Sequence, residues 1–304
     1  MKIHPSHLVL SGLSAMTLWI LAPNAFSQSP AAAVAAKPTE FPVPSDAETL
    51  FTMGRAYAVN EGGVTDYPKA VEYLSKAAEL GHAGAQNVLG ALYGLGQGVP
   101  PDNVRAAQWF QRAAEQGLPS AEFNYALCWF QGKGVAKDTG KGIEWLTKAA
   151  EGGMPEAQAR LGNLYFLGGS GVSRDMDQAF QWTVKAARAG IASAQNTLGF
   201  MFENGRGCKR DGKEAMRNYA LAAEQGIPKA QSNLGRIYAS NSVVPQNKVL
   251  AYKWLKLSAN QREITALNYL KDFQLGLKPE EIAEGERLVK EFQSEPKKRP
   301  APSM

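Results

Sequence analysis

Few side chains in this 304-residue chain carry reactive chemistry, and most of them fall at a regular interval. His82 is the sole imidazole after His7, so a Ser–His or Cys–His nucleophilic pair has one possible base along most of the chain. Cys128 and Cys208 are too far apart in the pattern to bridge, and neither sits among histidines or carboxylates at metal-ligand spacing. Ser232 lies near Lys229 but without a hydrolase motif. The glycine pairs Gly96-x-Gly98, Gly132-x-Gly134, Gly169-x-Gly171 and Gly205-x-Gly207 imitate phosphate loops. A phosphate cradle needs a strand before it and Lys-Ser/Thr after it, and both are missing here. Asp66, Asp102, Asp138, Asp175, Asp211 and Asn247 each end the turn of their repeat, where a short polar side chain caps the helix that starts there. No catalytic residue, metal ligand or cofactor is expected from this set.

The interval itself is the stronger signal. With Ala85 as slot one of a repeat, the equivalent positions are Thr49, Ala85, Ala121, Ala157, Ala194, Ala230 and Ala266. The step is 36 residues except for one of 37 at the loop Gly168–Gly171. Self-similarity at such a period marks a solenoid. In each repeat, slots one, five, six and nine place a small residue, Leu, Gly and an aromatic on one helical stripe, as in Ala85, Leu89, Gly90 and Tyr93. The glycine recurs at Gly54, Gly162, Gly199 and Gly235, with Ala126 once, which implies a closely approaching partner helix. The second half carries Tyr73, Trp109, Trp145, Trp182 or Trp254 four residues before a small pair such as Ala113-Ala114. The period reads these aromatics as core rather than as carbohydrate platforms. Both cysteines occupy slots held elsewhere by aliphatic residues, so they read as small buried hydrophobes. The sixth repeat departs most, since its turn Asn241–Pro245 lacks both glycines.

Four segments follow. Residues 1–27 read as a signal peptide, with an apolar stretch Leu8–Leu21, Pro23, and Ala25-Phe26-Ser27 as a small-x-small cleavage site. Leu8–Phe26 is also just long enough to serve as an uncleaved anchor. Residues 28–45 are an Ala/Pro-rich linker, 46–293 the repeat solenoid closed by an amphipathic helix over Lys278–Phe292, and 294–304 a disordered basic tail. The formal charge of +5 comes without a long basic run in the array, which argues against nucleic acid as a partner.

The run A-Q-x-x-L-G-x-L-Y…G-x-G-V-x-x-D…A-x-x-W-x-x-x-A-A-E-x-G is similar to the Sel-1-like repeat, a relative of the tetratricopeptide repeat, over Thr49 to about Gln261. The resemblance implies an all-α, right-handed solenoid of antiparallel helix pairs, and a non-catalytic scaffold or adaptor for another protein in the bacterial envelope or secreted space. A periplasmic or secreted monomer with a protein or peptide partner is therefore expected, with no stable membrane span after signal cleavage. The competing reading is a beta-lactamase-like or peptidoglycan-related hydrolase, as in a cysteine-rich branch of the family. This chain lacks that branch's cysteine pair in each repeat. In the related tetratricopeptide fold, first-helix residues line the concave face, and the shared pattern transfers those positions to slots three, seven and ten. The middle repeats then present Phe123, Leu127, Phe130, Phe166 and Phe200, with Asn163 and Asn196 among them, as a partner-binding groove: aromatics for side-chain pockets, amides for a peptide backbone. The same phenylalanines could instead pack between neighbouring repeats.

Overall fold

The computed structural model describes residues 45–59, 65–169 and 171–294. The expected signal peptide, residues 28–44 of the linker and residues 295–304 of the tail lie outside the described residues. Those described are helical throughout, apart from one isolated bridge between Gly169 and Val172. The chain forms two compact bodies, one ending at Gln116 and the other beginning at Gly117. The first holds α1 (Ala47–Val59), α2 (Tyr67–Glu79), α3 (Ala83–Leu95) and α4 (Asn103–Glu115). The second holds α5 (Pro119–Gln131), α6 (Thr139–Glu151), α7 (Pro155–Leu167), α8 (Met176–Arg188), α9 (Ala192–Asn204) and α10 (Gly212–Glu224). It continues with α11 (Pro228–Ala239), α12 (Lys248–Asn260), α13 (Ile264–Phe273), a single 3-10 turn, and α14 (Pro279–Ser294). Within each body, each odd helix up to α11 packs on the next even one, and α2, α6, α8, α10 and α12 pack in turn on the helix that follows. This nearest-neighbour packing is that of an α-solenoid.

Local chemistry fixes the helix ends. Asp66, Asp102, Asp138, Asp175, Asp211 and Asn247 are the N-caps of α2, α4, α6, α8, α10 and α12. The side chain of each accepts a hydrogen bond from a first-turn amide. Each such cap contributes roughly 1 kcal/mol. At the other end, Gly96, Gly132 and Gly205 close α3, α5 and α9 in the left-handed conformation that favours glycine. The repeat with the extra residue closes at Gly168 and then folds a small loop on the Gly169–Val172 bridge.

Small residues set the spacing inside each pair. A Cβ on Gly90 would stand 2.9 Å from the Phe110 ring, and one on Gly199 2.7 Å from the Tyr219 ring. Where α5 carries Ala126 instead, the second helix carries Gly142 at the slot of Ala106 and Ala179, and the Phe130 ring lies against it.

Successive pairs are joined by a buried amide. Gln86, Gln158, Gln195 and Gln231, all in slot two, donate through Nε2 to the carbonyls of Ala78, Ala150, Ala187 and Ala223 in the last turn of the preceding helix, at 3.0–3.2 Å. Three of them also accept from a second glutamine: Gln116 on Gln86, Gln225 on Gln195 and Gln261 on Gln231. Glu122 holds the same slot in the third repeat. It is buried, and that burial raises its carboxyl above the ordinary value.

The second-helix aromatics divide. Trp182 and Trp254 are buried, whereas Tyr73, Trp109 and Trp145 are only half-buried. Their rings carry cations one turn on, Lys76, Arg112 and Lys148, at 5.8, 4.6 and 3.9 Å from the ring centroid. Trp182 carries Lys185 in the same way at 4.0 Å, so the three differ from it in exposure, as rings only partly in the core. The last pair is covered by α14: Phe292 packs edge-on to Trp254, Val289 is buried, and Glu286 accepts from the Tyr252 hydroxyl at 2.7 Å.

Candidate partner-binding face

The reactive side chains are engaged in framework roles. His82 caps α3, its Nδ1 accepting from the Ala85 amide at 3.0 Å, while Nε2 lies 3.0 Å from Glu48 and the ring stacks on Phe51. Cys128 is buried, which pushes its thiol up to about 12, and burial raises Cys208 as well. A thiol held protonated is a poor nucleophile. Ser232 is fully buried, and the Lys229 ammonium faces Thr265 at 3.0 Å and Glu263 at 3.4 Å instead of that hydroxyl. Among the described residues no three His, Cys, Asp or Glu side chains gather as a metal site.

The first-helix slots are left. In the second body they fall on α5, α7, α9 and α11, and their surroundings differ. On α5, every residue from Ala121 to Cys128 is buried, so Phe123 (3 % exposed) and Leu127 (7 %) are interior. The physical reason is the composition of α5: the run Phe123–Phe130 is apolar nearly all round, and such a helix is enclosed rather than amphipathic. Phe123 and Leu127, expected on the open face, are therefore buried and not part of the exposed face. Phe130 is half-buried, lies against Gly142, and has the Arg160 guanidinium over its ring at 5.1 Å.

On α7 and α9 only a stripe is buried, and the outer slots stay open. Asn163 is exposed, and Phe166, Asn196 and Phe200 are half-buried. Phe166 and Phe200 meet edge to face with centroids 5.9 Å apart, which holds both rings in place. Asn233 donates to Asn196 at 3.4 Å. The face brought together is therefore Asn163, Phe166, Asn196 and Phe200, with Phe130 at its side.

On α9 and α11, slots ten and seven carry Glu203 and Arg236, which the aromatic pattern passed over. Glu203 accepts from the Tyr219 hydroxyl at 2.6 Å and from Arg236 at 3.1 Å. Burial first, then the bond to Glu203, raises the Tyr219 phenol. A glutamate in a slot that elsewhere holds only Ala, Gly or Phe, one repeat before an arginine in the neighbouring slot, was the available signal.

A family model described as Sel1 repeat matches six consecutive segments: 50–82, 83–118, 119–154, 155–191, 192–227 and 228–262. Among solved structures, a Sel1 repeat protein from Oxalobacter formigenes is 30 % identical, with 84 % of this chain and 100 % of that one covered, at a TM-score of 0.66. The protective antigen c5321 of uropathogenic Escherichia coli, described as displaying an SLR fold, is 25 % identical over 82 % of this chain and 68 % of its own, at a TM-score of 0.36. No curated protein matches at a significant level.

Proposed function

This chain belongs to the Sel1 repeat family, and we propose that it is a non-catalytic scaffold that holds a partner peptide on the first-helix face of α7 and α9. Proteins of this family are generally protein-interaction scaffolds. The observation that carries the reading is the Phe166–Phe200 pair, two half-open rings fixed edge to face with Asn163 and Asn196 beside them. Rigid aromatics give contact area at low entropic loss, and amides pair with an extended backbone. The expected signal sequence extends the proposal to the periplasm or the secreted space.

A photo-reactive benzoylphenylalanine at Asn163 tests the face, with one at Lys185 on α8 as the reference. Crosslinked partner should form from position 163 and be lost on adding Phe166→Ala and Phe200→Ala, while helicity is retained. Equal crosslinking from both positions, or capture unchanged by the double substitution, refutes the face. N-terminal sequencing of the exported protein tests the location, with Gln28 the expected first residue.

A further inference from the structure

A cavity of about 260 Å³ opens in the second body where α9, α10 and α11 meet the turn after α11, with Tyr269 of α13 at its edge. Part of its wall comes from the turn of the sixth repeat, which departs from the others. Between the first and second repeats and between the fourth and fifth, the turn glycines Gly98 and Gly207 lie against the backbone of Tyr67 and Met176 at the start of a second helix. One repeat later those two slots hold Val243 and Gly212. Val243 now lies on Gly212, where a Cβ would meet it at 2.9 Å.

The lining is polar on one side and apolar on the other. Arg210, exposed and without an ion pair among the described residues, and Arg236 both border the cavity. Glu203 neutralises one of these two cations, so the lining keeps a net positive charge. The Arg236 Nε–H is buried without an acceptor among the described residues, in a group that forms strong bonds to carboxylates. Ser240 and Ser242, 2.8 Å apart, add hydroxyls, and Ala215, Ile237 and Val243 form the apolar wall.

We propose that this cavity anchors the free C-terminal carboxylate of a peptide ending in an aliphatic residue. A carboxylate and an aliphatic side chain on one Cα match donors and apolar wall side by side. An acidic side chain brings the charge without the aliphatic group. Because Glu203 and Arg236 continue the slots of Phe166 and Phe200, the proposal rests on the reading of that face as a peptide site and supplies its end point.

Titration of the full chain by NMR tests it, with N-acetyl-leucine, N-acetyl-leucinamide, N-acetyl-glutamic acid amide and inorganic phosphate as separate probes. N-acetyl-leucine should saturate near Ser240–Val243 with a Kd of about 1 mM, the range for a ligand of this size. The leucinamide should bind at least about tenfold more weakly, and Arg210→Gln should weaken N-acetyl-leucine by about tenfold, the worth of one charged hydrogen bond. Arg210 is exposed, so its variant keeps the fold even if Arg236→Gln does not. Absent saturation, equal binding of leucinamide, glutamic acid amide or phosphate, or an unaffected Arg210→Gln overturns the proposal. The crosslinking at position 163 is independent, so either reading can fail alone.

Discussion

Replacing the slot-two glutamines by leucine measures how the repeats are joined. Gln158 makes one hydrogen bond, to the Ala150 carbonyl at 3.0 Å. Gln231 makes two, donating to Ala223 at 3.1 Å and accepting from Gln261 at 3.0 Å. Both are buried, at 8 % and 1 % exposure, and leucine keeps about their volume. The acceptor carbonyls also receive main-chain amides, from Gly153 and Gly226, so neither is stranded when the side-chain amide goes. Each bond therefore counts at its net value of about 1 kcal/mol. Gln158→Leu should lose about 1 kcal/mol and Gln231→Leu about 2 kcal/mol. At this chain length each kcal/mol lowers the melting temperature by about 2–4 °C. Urea unfolding followed at 222 nm gives the ratio, and a Gln231/Gln261 double-mutant cycle should return a coupling of about 1 kcal/mol. Equal losses at the two positions, or no coupling in the cycle, would refute the idea that amides bind successive pairs together.

Three other outcomes are expected. Burial raises the Glu122 carboxyl, so the folded state binds its proton more firmly than the unfolded chain and stability falls as pH rises above the ordinary value of 4.5. Glu122→Gln should flatten that slope and add about 1 kcal/mol at pH 7, read from unfolding curves at pH 4.5 and 7. Gly199→Ala should lose about 1–3 kcal/mol, because the Tyr219 ring it meets is buried and tied to Glu203 and so yields little. Cys128 should resist iodoacetamide in the folded protein at pH 8 and react at once in urea, as mass spectrometry of the intact chain would show.

The helical pairs were legible because their ends are written in side chains: aspartate or asparagine where α2, α4, α6, α8, α10 and α12 begin, glycine where α3, α5 and α9 stop. The glutamine joint was visible as a letter recurring beside four of the slot-one alanines, yet its meaning was not. Its partner is a main-chain carbonyl, which no side chain announces. At the candidate site, slot counting placed Phe166, Phe200, Asn163 and Asn196 where the helix is open, and Phe123 and Leu127 where it is enclosed. A slot gives the direction in which a side chain leaves its helix. Whether it reaches solvent depends on what surrounds the helix, and α5, apolar nearly all round, is enclosed where α7 and α9 are open. The cavity at Arg210 and Arg236 was hidden for the opposite reason: it arises from the sixth repeat breaking the pattern that made the rest readable.

The loop that closes on the Gly169–Val172 bridge already absorbs one residue more than its counterparts, while α7 before it and α8 after it keep the same length of 13 residues as their neighbours. Added length there is taken up without passing into the helices. A fluorophore, an epitope or a short foreign peptide could be housed at that loop, giving the molecule a built-in attachment point from which the occupancy of the proposed face can be watched.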